Sequence, residues 1–165
     1  MEKINLAQAS KLTSPNPLTV ICTEKPDGST NFATVSWWTY LSLRSGLLAF
    51  AMSTHSYSGE LVRENKKVIL AMPGTEIAQQ VMGFGKCSGR DTDKTAAFPV
   101  ETAAVEGSNI RIPAQSRVAI QCALKEVHEA GDHYLYICEV EQVFGDESVD
   151  ALFAWNGYSE LRGAK

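Results

Sequence analysis

Long apolar runs are missing from this sequence of 165 residues. The longest, Leu47 to Met52 and Val68 to Met72, are far shorter than the ~20 residues that a transmembrane helix needs. The segment Met1 to Leu6 is polar and lacks the continuous apolar stretch of a secretory signal. We therefore expect a soluble, cytoplasmic protein that does not enter a membrane.

An excess of positive charge is also missing. The chain carries 15 Lys and Arg against 19 Asp and Glu, a formal net charge of -4. Binding to nucleic acid or anionic lipid depends on a basic surface that gathers phosphate groups, so the charge balance argues against both partners. The chain length and a hydrophobic fraction of 44% predict a single domain over residues 1–165 with its own apolar core.

The four cysteines include no Cys-x-x-Cys pair, which argues against a zinc site or a thioredoxin-like couple. Cys22, Cys122 and Cys138 lie in strand-like segments and are expected to be buried. Cys122 and Cys138 lie on the two strands of a predicted hairpin, where a disulfide is the alternative, but a reducing cytoplasm favours free thiols. Cys87 lies in a polar loop, and a reactive thiol there lacks a neighbouring His or helix start that would activate it.

Signatures of several enzyme classes are absent as well. The sequence has no Walker-type loop, no His-Glu-x-x-His and no Gly-x-Ser-x-Gly, so no motif supports a hydrolase or P-loop function. The segment Gly83 to Gly89 differs from a dinucleotide fingerprint in two ways. Ser88 occupies the position of the third glycine, and the segment follows a predicted helix instead of a strand.

Short strand-like segments make up most of the chain. A turn over Lys25 to Gly28 predicts a hairpin between the first two strands, and a second turn over Ala130 to His133 predicts a long hairpin near the end. Strands are predicted over 17–23, 31–38, 47–52, 68–72, 117–127 and 134–144. Helices are predicted over 59–67 and 75–84, and Gly83 and Gly85 are expected to end the second helix. A polar loop with a single helical turn is predicted over 85–98. This pattern predicts an all-β dominated fold with a few short helices, a small barrel and not a doubly wound sheet.

Two polar segments follow apolar strand-like residues and are the candidate ligand-binding positions. The first polar segment is Asn31 to Trp38, in which Asn31, Thr34 and Ser36 offer hydrogen bonds. Its two tryptophans offer broad apolar faces, and this mixture suits a heteroaromatic ring. The alternative is an amphipathic strand whose aromatic side chains lie in the core.

The second polar segment is Ser53 to Ser58, which supplies several hydroxyl groups directly before a predicted helix. Free N–H groups and the positive end of the dipole make a helix start a good phosphate site. The alternative is a capped helix start without a ligand, with Ser56 or Ser58 as the N-cap. His55 either donates to the ligand as a cation or is an exposed or structurally bonded histidine without a ligand.

Several landmarks in a fixed order resemble the flavin reductase-like family of FMN-binding split barrels, and most closely its flavoredoxin branch. The landmarks are Pro15-Asn-Pro17, Asn31-Phe-Ala-Thr-Val-Ser36, the second polar segment with Asn65 on the following helix, Ser88-Gly-Arg-Asp-Thr-Asp-Lys94, and Gly131-Asp-His133 before Tyr134 to Val140. The chain departs from many relatives at Leu43-Arg44, where they carry Pro-Pro, and at Thr95, where they usually carry Phe. These departures concern the substrate-facing side more than the flavin site.

The resemblance implies a fold, a cofactor and an assembly. The fold would be a split β-barrel of the FMN-binding type, a Greek-key antiparallel barrel, in a homodimer with non-covalently bound FMN near the subunit interface. The residues implied at the ring and ribityl chain are Asn31, Ala33, Thr34, Val35, Ser36 and Trp37, and those at the phosphate end are Ser53, Thr54, His55, Tyr57 and Ser58. Lys94 would reach the phosphate or the ring edge, and His133 would assist hydride or proton transfer.

The activity that the resemblance implies is electron transfer from NAD(P)H through FMN to an acceptor, which is a small molecule, a metal or a protein. The sequence does not distinguish NADH from NADPH. One alternative is a split-barrel module that holds flavin or haem as an electron carrier or sensor without turning over a nicotinamide. Another is a structural barrel that binds no cofactor and uses its apolar outer strands for association.

Overall fold

The structure is a computed structural model that describes residues 1–164. Its largest sheet is antiparallel and has seven strands. The strands are β1 Asn16–Pro17, β2 Thr19–Glu24, β3 Thr30–Val35, β4 Trp38–Ser42, β5 Leu47–Ser53, β6 Lys67–Pro73, β7 Thr102–Ala103, β8 Ile112–Pro113, β9 Ser116–Ala130, β10 His133–Gly145, β11 Ala151–Trp155 and β12 Glu160–Ala164. The helices are α1 Leu6–Leu12, α2 Tyr57–Asn65, α3 Ala78–Lys86, which continues a 3-10 turn over Thr75–Ile77, and α4 Lys94–Ala97.

The large sheet closes on itself because its two edge strands are consecutive in the chain. Its strand order is β3-β2-β6-β9-β10-β5-β4, and only Ser36 and Trp37 separate β3 at one edge from β4 at the other. The Ala51 N–H donates to the Trp37 carbonyl at 2.8 Å, which fixes this connection against β5. Within residues 1–164, no ladder of hydrogen bonds joins β3 to β4 or β5, so the barrel is split along this seam.

Helix α2 connects β5 to β6 and bypasses the β9–β10 hairpin that lies between them in the sheet. A connection that skips neighbouring strands is the Greek-key feature of such barrels. The all-β dominated, antiparallel, split-barrel fold predicted from the sequence is therefore confirmed.

Alternation along the strands produces two apolar cores. Ile21, Phe50, Leu70 and Tyr136 come from different strands and face the interior of the barrel. Residues one position away along the same strands, such as Val20 and Ile69, face outward, where α3 and the β11–β12 hairpin cover them. They form a second apolar cluster, which also contains Phe32, Phe84 and Leu152. Burial on both faces explains why these strands read as continuous apolar runs in the sequence.

The predicted cysteine states are confirmed. All four cysteines are free, and Cys22, Cys122 and Cys138 are buried. Burial raises the pKa of the Cys22 and Cys122 thiols and raises that of Cys138 to about 12, because a thiolate is poorly solvated there. No helix within residues 1–164 has the length and apolarity to cross a bilayer.

Several predicted element boundaries differ from the structure; the helix predicted over 59–67 spans Tyr57–Asn65, for example, and two other differences affect the site. The strand predicted over 31–38 ends at Val35, and the chain then crosses the seam so that Trp38 begins β4. The second helix continues to Lys86 through both glycines that were expected to end it. Gly83 is required there by packing, since a Cβ would lie 2.3 Å from the ring of Phe98.

The sequence reading also missed two elements that lie beside the seam. Helix α1 carries no buried residue, and the β11–β12 hairpin forms a small sheet with β1. Helix α1 is short and mostly polar, and the two strands of the hairpin have five residues each, so neither element has a hydrophobic period long enough to predict it.

Candidate functional site

The second polar segment begins α2 at the seam of the barrel. Ser56 is the N-cap: its side-chain oxygen accepts the Gly59 N–H at 3.2 Å, and its carbonyl accepts the Glu60 N–H at 3.0 Å. The N–H groups of Tyr57 and Ser58 lie in the first turn, where a helix offers no internal partner. Two donors and the positive end of the helix dipole therefore remain for a ligand.

A cavity of 280 Å³ lies at this helix start, and we call it the α2 cavity. The described residues of its walls contribute hydroxyl, imidazole and ammonium groups but no carboxylate. It is lined by Ala33, Thr34, His55, Ser56, Tyr57, Ser58, Phe84, Gly85, Lys86, Cys87, Ser88, Gly89 and Lys94. Such a donor set is complementary to a phosphate group.

The wall opposite α2 is the end of α3 and the loop that follows it. Gly89 packs so closely on the first polar segment that a Cβ would lie 1.8 Å from Asn31 Oδ1. Arg90 holds the same loop to α2 through a two-pronged pair with Glu60, the shorter contact being 2.6 Å from Nη2 to Oε2. Hydrogen bonding from Arg90 lowers the pKa of the Glu60 carboxyl.

Asn31 supports the α2 cavity from behind and does not line it. Its side chain is 3% exposed, and its Nδ2 donates to Ser58 Oγ at 2.7 Å and to Thr23 Oγ1 at 3.4 Å. Because Ser58 Oγ accepts this bond, its own O–H is left to donate, and Ser58 lines the cavity. The place of Asn31 against a ring or ribityl chain stays a prediction, and the contact that the structure shows is the bond that orients Ser58.

Lys94 lies at the base of the same cavity. Its side chain is buried, and Nζ donates to the Phe32 carbonyl at 2.8 Å and to the Phe84 carbonyl at 2.6 Å. An ammonium group has three donors, so one remains beyond these two bonds. Desolvation lowers the pKa of Lys94. The residue thus ties β3 to α3 and places a cation beneath the cavity.

The first polar segment faces a second cavity, of 430 Å³, which we call the Trp37 cavity. Apolar and aromatic surfaces predominate, with hydroxyl groups at the edge. It is lined by Ala7, Ser10, Lys11, Asn16, Thr34, Val35, Ser36, Trp37, Ala51, Met52, Ser53, His133, Gly157 and Tyr158. A flat ring with polar edge atoms matches these walls.

His133 forms one side of the Trp37 cavity. It is the partner of Ser53 in the β5–β10 ladder, and its ring centroid lies 5.0 Å from that of Trp37. Its Nδ1 is 2.7 Å from Asp132 Oδ1. This bond and the imidazole charge lower the pKa of the Asp132 carboxyl.

Thr34 lines both cavities, so they adjoin at this residue beside the seam, and we call the two cavities together the groove. Its hydroxyl donates to the Val81 carbonyl on α3, and the Tyr158 hydroxyl donates to Ser36 Oγ at 2.5 Å from the β11–β12 turn. A third cavity of 310 Å³, between Val81, Met82 and Tyr158, also meets the groove at Thr34. The groove has a cationic, donor-rich end and an aromatic end.

The structure brings together most of the predicted site residues, but it redistributes the second polar segment. His55, Tyr57 and Ser58 line the α2 cavity. Ser53 lies in the Trp37 cavity, because it ends β5 opposite His133. Thr54 lines neither cavity, and its N–H donates to the Asp132 carbonyl at 3.0 Å. The predicted place of Ser53 and Thr54 at a phosphate end therefore stays a prediction, and in this structure neither side chain lines the α2 cavity.

Sequence reasoning missed one wall of each cavity. The segment 83–89, set aside because it is not a dinucleotide fingerprint, supplies much of the wall opposite α2. Its glycines and Ser88 were the available signal. Lys11 and Tyr158 carried no signal, because only the tertiary fold brings α1 and the β11–β12 turn to the seam.

Comparison with known proteins identifies the family. The profile described as "Flavin reductase like domain" matches residues 12–162, nearly the whole chain. The chain belongs to the flavin reductase-like family. The resemblance stated from the sequence landmarks is thereby confirmed.

An uncharacterized protein of Archaeoglobus fulgidus is 27% identical over 122 residues, which are 73% of this chain and 66% of that protein. One of Aeropyrum pernix is 24% identical over 147 residues, 87% of this chain and 55% of that protein, so the chain spans two thirds or less of both.

Three solved structures of flavin proteins share the fold. The NADH:FAD oxidoreductase SgcE6 of Streptomyces globisporus C-1027 matches with a TM-score of 0.85 and 15% identity, over 100% of this chain and 98% of that one. Flavoredoxin of Desulfovibrio vulgaris (Miyazaki F) matches with a TM-score of 0.85 and 20% identity, over 100% of this chain and 94% of that one. An FMN-binding protein from Thermus thermophilus, with bound p-hydroxybenzaldehyde, matches with a TM-score of 0.84 and 20% identity, over 99% of this chain and 94% of that one.

The groove of this flavin reductase-like chain fits a flavin nucleotide by the chemistry of its donors. The α2 cavity pairs free helix N–H groups with the Lys94 ammonium, and Gly89 keeps its wall close, because a Cβ there would displace Asn31. The Trp37 cavity pairs an indole face with the hydroxyl groups of Ser36 and Ser53. A phosphate suits the first cavity and an isoalloxazine ring the second.

Proposed function

We propose that this chain is an FMN-dependent oxidoreductase that passes electrons from NAD(P)H through bound FMN to an acceptor. The observation that carries the proposal is that two complementary cavities adjoin at Thr34: one is donor-rich with no carboxylate among its described lining residues, and the other is aromatic. The family membership supports flavin as the ligand. The FMN-binding protein and the NADH:FAD oxidoreductase among the structural neighbours support FMN and a nicotinamide nucleotide.

The residues at the α2 cavity bind the phosphate in this proposal. The Tyr57 and Ser58 N–H groups and the Ser58 hydroxyl donate to its oxygens, and Lys94 compensates its charge from below. Lys94 keeps two bonds to backbone carbonyls, so it acts as a fixed cation more than as a flexible arm. His55 and Ser88 complete the lining.

The residues at the Trp37 cavity hold the ring. Val35, Met52 and the Trp37 indole would pack on one face of the ring, while Thr34 and Ser36 would lie beside its polar edge atoms. FMN supplies the redox chemistry when it is bound, since it takes up a hydride and releases electrons. The chain excludes water from one face and leaves the other open to the nicotinamide and the acceptor.

His133 has a supporting catalytic role in the proposal. Its Nδ1–H donates to the Asp132 carboxylate, which fixes the ring and leaves Nε2 to donate or accept a proton at the cavity. A His133→Gln variant keeps a donor but cannot titrate. We expect it to slow turnover while FMN affinity stays within about twofold, and wild-type turnover would remove His133 from the mechanism.

We also propose that the protein acts as a homodimer with FMN near the interface. Trp37 is 56% exposed, and Tyr40, Leu41 and Leu43 continue an exposed apolar surface along β4 and the turn after it. A row of large apolar side chains at a sheet edge is unusual on a monomer. Because Trp37 belongs both to this surface and to the cavity, a partner there would lie beside the bound ring.

The experiment that tests the function is reduction of the bound flavin under anaerobic conditions. FMN is added to the purified protein, excess is removed, and the flavin absorbance is followed as NADH or NADPH is added. Bleaching by either nucleotide, followed by reoxidation with ferric chelate or free flavin, supports the oxidoreductase. The rates with the two nucleotides identify the preferred donor.

The second candidate is a flavin-binding electron carrier that does not turn over nicotinamide, favoured by the match to a flavoredoxin with the same TM-score as the oxidoreductase. The same experiment separates the two functions. An electron carrier is bleached by dithionite but stays oxidised under excess NADH and NADPH.

A further inference from the structure

The charge around the Trp37 cavity is uneven. Among the described residues that line it, Lys11 alone carries a permanent charge, and none is an Asp or Glu. His133 is the other basic residue, and it is already bonded to Asp132. The side chain of Lys11 on α1 is therefore the permanent charge that a ligand in this cavity would meet among these lining residues.

The fold holds Lys11 over the cavity although α1 buries none of its residues. Asn5 and Gln8 form a reciprocal cap at the start of α1, and the Lys11 stem packs on Gly157 in the β11–β12 turn. A Cβ at Gly157, where φ is +63°, would lie 3.1 Å from Lys11 Cγ. The same turn is tied to the segment after α1, because the Asn156 N–H donates to Ser14 Oγ at 2.8 Å.

This turn also connects Lys11 to the first polar segment. Tyr158, two residues beyond Asn156, donates its hydroxyl to Ser36 Oγ at 2.5 Å. The Lys11 stem thus packs on a turn that is itself bonded to the first polar segment, against which the ring would lie.

The charge of an isoalloxazine ring depends on its redox state. A hydride brings two electrons and one proton from the nicotinamide to the ring, the nicotinamide ring becomes positively charged, and the flavin ring gains one negative charge. A fixed cation beside the ring stabilises the reduced form and leaves the neutral oxidised form almost unaffected. Protein charges near the ring are a general means of tuning flavin potential.

We infer that Lys11 is a positioning charge that raises the reduction potential of flavin bound in the Trp37 cavity. The inference rests on the proposed function in one respect, that FMN lies in the groove. Lys11 acts on the ring through space and takes no part in bond making. Its effect is expected on the equilibrium between redox states and not on retention of oxidised FMN.

The test compares three variants as FMN-loaded proteins. Lys11→Met removes the charge and keeps an unbranched stem, Lys11→Arg keeps the charge, and Lys3→Met removes a charge from the same terminal segment away from the cavity. The midpoint potential is measured by anaerobic dye equilibration. The affinity for oxidised FMN is measured by quenching of flavin fluorescence.

We expect Lys11→Met to weaken the binding of reduced FMN relative to oxidised FMN by about tenfold, which lowers the potential by ~30 mV for a two-electron couple. Lys11→Arg and Lys3→Met should remain near the wild type, and the Lys11→Met difference should shrink at ~1 M salt because mobile ions screen the charge. An unchanged potential in Lys11→Met overturns the inference, as does an equal drop in Lys3→Met. Failure of the wild type to bind FMN overturns the proposed function instead.

Discussion

Asn31 and Ser58 show how a single hydrogen bond assigns roles to side chains that looked equivalent in the sequence. Both are polar and follow strand-like residues, so both were predicted to touch the cofactor. The 2.7 Å bond from Asn31 Nδ2 to Ser58 Oγ separates them, because the donor is buried behind the cavity and the acceptor lines it. No local sequence pattern contains this information, since 27 positions separate the two residues.

The same geometry predicts different effects for two serines of the second polar segment. Ser58→Ala should weaken FMN binding by ~1–2 kcal/mol, because it removes a donor to the phosphate, and should leave riboflavin binding nearly unchanged. Ser53→Ala is the matched control, since Ser53 lies in the Trp37 cavity, and it should not reduce the preference for FMN over riboflavin. Fluorescence titration with both ligands measures the preference. A loss of preference in Ser53→Ala alone would reverse the assignment of the two cavities.

Cys87 provides a second test at this scale, because it is the one cysteine that lines the α2 cavity. The other three are buried, with raised thiol pKa values. A thiol reagent such as dithiobisnitrobenzoate should therefore modify Cys87 rapidly in the native protein and the other cysteines only after unfolding. Bound FMN should slow this reaction, and a Cys87→Ser variant should lack the fast phase. Rapid modification that FMN does not slow would place the ligand outside the α2 cavity.

At the scale of elements, helix α2 was predictable and the strand break was not. Ser56 before an amphipathic helix is a local capping signal, and the structure uses it. The end of β3 at Val35 has no local signal, because Ser36 and Trp37 leave the strand only to cross between the two edges of the barrel. That crossing creates the seam and the Trp37 cavity, so the feature that matters most for function is a tertiary one.

Helix α3 shows a similar limit, and it offers a matched pair of substitutions. Gly83→Ala should destabilise the protein by ~1–3 kcal/mol, because the new Cβ would lie 2.3 Å from the Phe98 ring. Gly85→Ala should stabilise it by up to ~1 kcal/mol, because alanine is the better helix former and its Cβ would meet Thr34 at an ordinary 3.5 Å. Urea unfolding of the FMN-free proteins measures both effects. Equal changes of the same sign would mean that α3 does not pack on Phe98 as described.

For the whole molecule, the antiparallel barrel could be predicted because apolar alternation and turn signals are local properties. Its closure could not be derived from those signals, since it depends on β3 and β4 meeting across the seam. The resemblance to the flavin reductase-like family supplied that closure together with most of the site residues. The resemblance did not supply the contact of Lys11 with the β11–β12 turn, which only the tertiary structure shows.

Assembly is the further property of the whole molecule that the structure lets us predict. We expect sedimentation equilibrium to give a dimer, because a partner would cover the exposed residues of β4 and the following turn. A Tyr40→Lys and Leu43→Lys double variant should shift the protein toward monomer and weaken FMN binding, since Trp37 lies both in this surface and in the cavity. A Leu12→Lys variant, at an exposed residue of α1 outside this surface, should stay dimeric. A wild-type protein that binds FMN fully as a monomer would contradict this assignment.

The central claim is that FMN lies in the groove along the seam and is reduced there by a nicotinamide nucleotide. The most direct measurement is the visible absorption spectrum of the purified, FMN-equilibrated protein under anaerobic conditions, before and after addition of NADH or NADPH. We predict a yellow protein with a flavin spectrum that bleaches with at least one of the two nucleotides. A colourless protein that fails to retain added FMN would contradict the claim.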